Sequence, residues 1–386
     1  MRSGTAKKDH KQVPVMEKLG IKYMKTLNDK TFSNRFDNRT YILDQAERDK
    51  INKIERQAIV NAVSAGIIST LVSGLAGFLA DPLMDVPGSL FSDANIIYWS
   101  VVLGVTIVAS LIEIMYVYYD VMQKSFALAS AAHLRLFPGG EDKKEIVASI
   151  VRAALELPNK KDSDLAIDPK RESSKVLILL GSVLYKLKIS LSSFLFRAFI
   201  KRMMGRAISR AWLNFMAIPV CAFWNGMVCW LVMREVKIRV LGPSAAMEVV
   251  NKINKTDEKL SSEARLAILM SIGSCIVKTA DLHPNLEIMY RSVLEHIKEF
   301  EDKTTDDPIL FLEQLKKLNN AEKKIVLEVL IYSSIVDGKI TVKEKELLEK
   351  AYHICGTGFD FEKVKSFLKN FRAGALSQFT VPVLTA

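Results

Sequence analysis

The chain has 386 residues, 49% hydrophobic and 25% charged, with a net charge of +11 and a mean hydropathy of +0.14. That length suits two or three domains. The basic balance points to anionic lipid head groups rather than nucleic acid, because long apolar segments accompany it. The four cysteines (Cys221, Cys229, Cys275, Cys355) contain no C-x-x-C pair, which argues against a disulfide framework and fits a reducing compartment.

Residues 1–40 are polar and basic (Lys7, Lys8, Lys11, Lys18, Lys22, Lys25), with no apolar core for a cleavable secretory signal. A bacterial inner membrane facing the cytoplasm fits these facts. From Tyr41 to Gln57, Ile42, Ala46, Ile51 and Ile54 recur near helical spacing and predict an amphipathic helix. It runs into Ala58–Ala80, which carries no charge and is long enough for a hydrocarbon core of about 30 Å. Within it Ala62, Gly66, Thr70 and Gly74 recur every fourth residue, beside a second row of Ala65, Ser69, Ser73 and Gly77. Small side chains let another helix approach closely in lipid, and the same rows offer a pairing surface for a second copy of the chain.

Asp81–Asn95 holds two prolines, a glycine, three aspartates and no basic residue, so the helix stops there. Ile96–Tyr119 follows with a single charge, Glu113, and with Tyr98, Trp99, Tyr116, Tyr118 and Tyr119 near its ends, as membrane interfaces favour. Arg48, Lys50, Lys53 and Arg56 precede the first span, and Lys124 and Arg135 follow the second. The positive-inside rule then puts both ends in the cytoplasm and the connector outside. Glu113 is an intramembrane acid, functional by default, although one turn from Tyr116 it could also simply reach water.

Glu145–Leu157 is amphipathic, and Pro158–Ser174 is a polar linker. Val176–Phe196 is apolar but carries Lys186 and Lys188 in its middle. Each lysine at a bilayer centre costs about 2.5–3.5 kcal/mol, and spanning would put Arg197, Lys201, Arg202, Arg206 and Arg210 outside. The expectation is therefore a helix in the interface or packed on the hairpin, its lysines reaching head groups. Lys186, Lys188, Arg197, Lys201, Arg202, Arg206 and Arg210 are the candidate lipid-binding residues. Trp212–Met233 is uncharged but holds Pro219 and has basic residues on both sides, so a span and a re-entrant helix are equally open.

Gly242–Pro243 ends that block. Candidate helices then cover Ser244–Asn254, Ser262–Lys278, Leu286–Phe300, Pro308–Leu318, Ala321–Ile335, Val342–Cys355 and Phe361–Asn370. The expected division is 1–57, 58–123 (transmembrane hairpin), 124–243 (basic membrane-associated region), 244–371 (soluble helical bundle) and 372–386 (tail): an all-α protein. Ala267–Ile297 and Lys324–Cys355 form a weak repeat, each an apolar helix, a turn begun by aspartate and an amphipathic helix, pairing Asp281 with Asp337 and Glu287 with Glu344. Asp337-Gly338 suits a tight turn and Thr341-Val342-Lys343-Glu344 a capping box.

The stretch SSIVDGKITVKEKELLEKA, Ser333 to Ala351, resembles the TerB-like tellurite-resistance domain, and the resemblance extends over roughly Leu260–Phe371. It implies an all-helical bundle, metal binding and a membrane-linked stress response. Asp337 and Glu344 match the acidic motif directly, and Asp281 and Glu287 through the repeat. Lys339, Lys343 and Lys345 depart from it and weaken a cation site; a purely structural turn is the competing reading. An EF-hand fails because Ile335 would stand at the third ligand position. Residues Arg206–Gly242, with Ile218-Pro219-Val220 and Trp224-Asn225, are similar to EcsC-like and related membrane-associated families, which implies membrane association alone.

No zinc motif arises from the five histidines, and no phosphate loop, dinucleotide fingerprint or nucleophile elbow occurs. The expectation is a non-enzymatic membrane-associated scaffold or stress-response component at the inner membrane. Its C-terminal domain lies in the cytoplasm and meets protein partners or a divalent metal ion; no other cofactor and no nucleic acid is expected. The alternative is a transport or permeability component that uses Glu113 and the Lys186/Lys188 pair.

Overall fold

A computed structural model describes residues 14–31, 43–83, 93–134, 136–137, 142–159, 167–169, 213–255, 260–297 and 304–375. Every regular element among them is helical. The candidate lipid-binding residues Lys186 through Arg210 lie outside the described residues.

Helix α1 (Val15–Thr31) precedes α2 (Gln45–Ala80), in which the amphipathic and uncharged stretches fuse into one helix of 36 residues. Its start is capped reciprocally: Asp44 accepts from the Glu47 amide at 2.8 Å, and Glu47 accepts from the Asp44 amide at 2.9 Å. A short 3-10 turn, Asp81–Leu83, closes α2. Helix α3 (Asp93–Ala131) extends past both ends of the expected apolar stretch. Asn61 of α2 lies 2.9 Å from Asp120 of α3, to which it donates, and Glu47 in the first turn of α2 meets His133 just past the end of α3 at 2.7 Å, so the two helices run antiparallel. Both helices are long and apolar enough to cross a membrane.

The small-residue rows have a use within the chain. Ala62, Gly66, Ser69, Thr70, Gly74 and Gly77 are buried. A Cβ at Gly66 would come within 2.6 Å of the Asn225 amide nitrogen, and one at Gly226 within 2.8 Å of Val63. Small side chains thus let α5 (Leu213–Asn254) lie directly on α2.

Helix α4 (Asp142–Ala154) packs against α1 and α5 through Val147, Ile150 and Val151. Arg152 holds Glu17 of α1 in a buried two-pronged pair at 2.9 and 2.8 Å.

The expected break at Gly242–Pro243 does not occur: α5 continues for 42 residues through both Pro219 and Pro243. An interior proline costs a helix roughly 3 kcal/mol. Here the surrounding turns are held by burial of Val240, Leu241, Ala245, Ala246 and Val249. The second half of α5 is consequently part of the C-terminal bundle. That bundle adds α6 (Ser262–Thr279), α7 (Pro284–Ile297), α8 (Pro308–Lys317), α9 (Asn320–Ile335), α10 (Val342–Ile354) and α11 (Phe361–Arg372). Helix α6 is its central rod, buried at every residue from Ala267 to Val277, and α8 and α9 pack on it.

Candidate functional site

Two polar constellations stand out. The first is deep among the long helices. Glu113 of α3 is 7% exposed, and its Oε1 accepts from the Asn225 side chain at 2.6 Å. The same Asn225 nitrogen also reaches the carbonyl of Ala62 on α2 at 3.3 Å. One amide therefore ties three helices, and Gly66 supplies the space it occupies. The sequence marks Glu113 readily as a lone charge; Asn225 stands out only as the most polar side chain in an uncharged stretch.

The second lies where α5 enters the bundle. Glu235 of α5 meets His283 at 3.2 Å and Arg239 at 2.9 Å. Burial pushes the Glu235 carboxyl up, but the His283 hydrogen bond and the Arg239 charge outweigh it and hold the group down at about 2. Arg239 also donates to the Ser149 carbonyl at 2.5 Å and to Asn159 at 2.8 Å, fixing α4 to α5. Asn285, fully buried, donates to the carbonyls of Ile238 at 2.9 Å and Val336 at 2.8 Å. It thus joins α5 to the end of α9.

The acidic turn sits on this junction. Gly338 has φ +77°, and a Cβ there would run into Ile238 of α5. Arg372 of α11 donates through Nε to the Gly338 carbonyl at 2.8 Å. Asp337 Oδ1 accepts from the Lys339 amide at 3.0 Å; its Oδ2 has no hydrogen-bond partner and lies 3.9 Å from Lys339 Nζ. The expected capping box is present: Thr341 Oγ1 accepts from the Glu344 amide at 3.2 Å, and Glu344 Oε2 accepts from the Thr341 amide at 2.8 Å. Glu344 is fully buried and its Oε1 has no hydrogen-bond partner. Burial, then the Asp337 charge, pushes the Glu344 carboxyl up to about 8. Burial also raises Asp337, against the opposing pull of His283 and Lys339.

The four acids of the repeat do not converge. Asp281 is close enough to Asp337 to raise its pKa, but Glu287 is drawn to Arg291 at 2.9 Å on its own helix. The two turns also differ, because Ala280 takes the left-handed conformation at the end of α6 where α9 uses Gly338. No group of three or more His, Cys, Asp or Glu side chains placed to hold a metal ion occurs among the described residues. His283, Glu235, Asn285 and Arg372 were not legible as a unit, since they are far apart in sequence and meet only through the packing of α7 and α11 on α5. Compared with family models, curated proteins and solved structures, the chain shows no match.

Proposed function

We propose that the protein is a membrane-anchored, non-enzymatic scaffold. In this reading α2 and α3 form a transmembrane hairpin in the inner membrane, and the bundle carried on α5 is a TerB-like interaction domain in the cytoplasm. One observation carries the anchoring: large apolar side chains stand exposed along the long helices, among them Ile68 at 61%, Leu79 at 74%, Ile112 at 62% and Met115 at 73%. Soluble proteins rarely expose a contiguous apolar face of this extent, whereas a bilayer removes its cost. Arg48, Lys50, Lys53 and Arg56 at the opposite end from the acidic connector support the cytoplasmic orientation. The basic residues from Arg197 to Arg210 would add contact with anionic head groups. The DGK turn and capped α10 support the TerB-like part, in which Asp337 and Glu344 occupy the positions of the acidic motif.

The test is extraction. The full-length chain is expected to stay with membranes through carbonate at high pH and to leave only with detergent. A monodisperse monomer in the supernatant without detergent would remove the proposal.

The buried Glu113–Asn225 contact favours a second reading, a permeability component, because intramembrane acids commonly serve ion paths. Liposomes holding the purified protein would then pass protons or cations, and Glu113→Gln would abolish the flux. Liposomes no leakier than protein-free controls would eliminate this reading.

A further inference from the structure

The contacts along α5 give its direction. Lys237 donates to Asn52 and Glu55 near the start of α2, whereas Asn225 lies against Ala62 and Gly66 farther along it. Helix α5 is therefore antiparallel to α2, and its amino end points the way of Ala80. At 1.5 Å per residue, Leu213 lies about 18 Å beyond Asn225. The Ala62–Gly66 level is itself about 6–12 Å inside the uncharged run that opens at Ala58. The sum approaches the roughly 30 Å of a hydrocarbon core. The surface agrees with that depth: Phe223 is 69% exposed, with Val220, Trp230 and Leu231 also exposed. An open apolar groove of about 410 Å³ lined by Val63, Ala222, Phe223, Gly226, Met227 and Trp230 runs beside them.

The other end of the argument is Asp168. Its amide donates to Asp306 of the C-terminal bundle at 3.1 Å, and the neighbouring Ile167 is buried in the core. That bundle sits at the Lys237 end of α5, where Glu47–His133, Glu17–Arg152 and Arg239–Ser149 also lie. Asp168 and Leu213 are thus at opposite ends of the long helices.

Resting on the membrane reading of α2 and α3, we infer that Leu213–Met233 is a third membrane span whose amino end shares a face with Leu83 and lies opposite Asp168. The chain between Asp168 and Leu213 then has to cross the bilayer once more. Val176–Phe196 is the apolar stretch of that interval long enough to do so. The sequence places Lys186 and Lys188 inside that stretch and Arg197, Lys201, Arg202, Arg206 and Arg210 after it, a charge pattern that opposes this crossing under the positive-inside rule.

The test uses the full chain with Cys221→Ala and Cys355→Ser, leaving the buried Cys229 and Cys275 in place. Single reporters Leu83→Cys, Asp168→Cys, Leu213→Cys, Asn214→Cys and Lys343→Cys are treated with a membrane-impermeant maleimide, in intact cells and in inverted vesicles. The expected result is that Leu83→Cys, Leu213→Cys and Asn214→Cys label together in one orientation, at least fivefold over the other. Asp168→Cys and Lys343→Cys should show the reverse preference. If the 213 and 214 reporters label with Asp168→Cys, or stay silent until detergent is added, the third span is overturned. If Leu83→Cys labels with Lys343→Cys, it is the hairpin itself that fails.

Discussion

Glu344 shows how one side chain can serve a local role and carry a cost. Its Oε2 completes the cap of α10, while its Oε1 is sealed without a partner beside the unsatisfied Asp337 Oδ2. With its pKa raised from 4.5 to about 8, the folded chain binds a proton there that the unfolded chain has already released. The linked stability is fully present below pH 4.5 and is lost as pH rises through 8. One pKa unit corresponds to about 1.4 kcal/mol, so the loss is on the order of a few kcal/mol. Glu344→Gln keeps an acceptor for the Thr341 amide and removes the ionisation. Thermal melts from pH 5 to 9 should therefore fall for the native chain and stay nearly flat for the variant; parallel profiles would refute the account. The turn and its cap were readable from Asp337-Gly338 and Thr341-x-x-Glu344 because both are local chemistry. That Glu344 is wholly buried was not readable, because Cys275 and Asp337 come near enough to act on its charge only once α6 and α9 pack.

At the scale of helices, the uncharged runs and small-residue rows of α2 announced close packing, but not the partner. The rows fit a second copy as well as any helix of this chain, and only three-dimensional placement assigns Gly66 to α5. Asn225 now fills the space a side chain at Gly66 would need, and the Cys221 carbonyl stands 3.2 Å from the same point. Gly66→Ala should destabilise the assembly by about 1–3 kcal/mol, as overpacking does. Gly104 is the control, since a Cβ there meets nothing within 4 Å. In detergent, Gly66→Ala should lower the melting temperature and Gly104→Ala should leave it unchanged or slightly higher, since alanine favours helix. Equal effects would mean that α2 and α5 do not touch as described. The continuity of α5 was hidden for a different reason. Gly242-Pro243 reads locally as a stop, and the Asn285 amide that packs against Gly242 is more than forty residues away.

For the molecule as a whole, α5 is the element that prevents a simple division into anchor and domain. Its first half packs along α2 and its second half is built into the bundle, so a boundary at 243 cuts a single helix. Polar ties at the junction (Lys237 to Glu55, Arg239 to Ser149, Asn285 to Ile238 and Val336) connect the two ends without a flexible step. The two ends should therefore unfold together. All four tryptophans (Trp99, Trp212, Trp224, Trp230) belong to the apolar segments, so their fluorescence reports that end, while circular dichroism reports helix throughout. Asn285→Ala acts on the bundle side of the junction, away from every tryptophan, and removes the amide donor from the buried Val336 and Ile238 carbonyls, a loss of about 1–3 kcal/mol. In detergent it should lower the fluorescence midpoint by as much as the dichroism midpoint. A fluorescence transition that stays in place while the dichroism shifts would mean that the bundle melts on its own, and α5 would then be a tether rather than a shared strut.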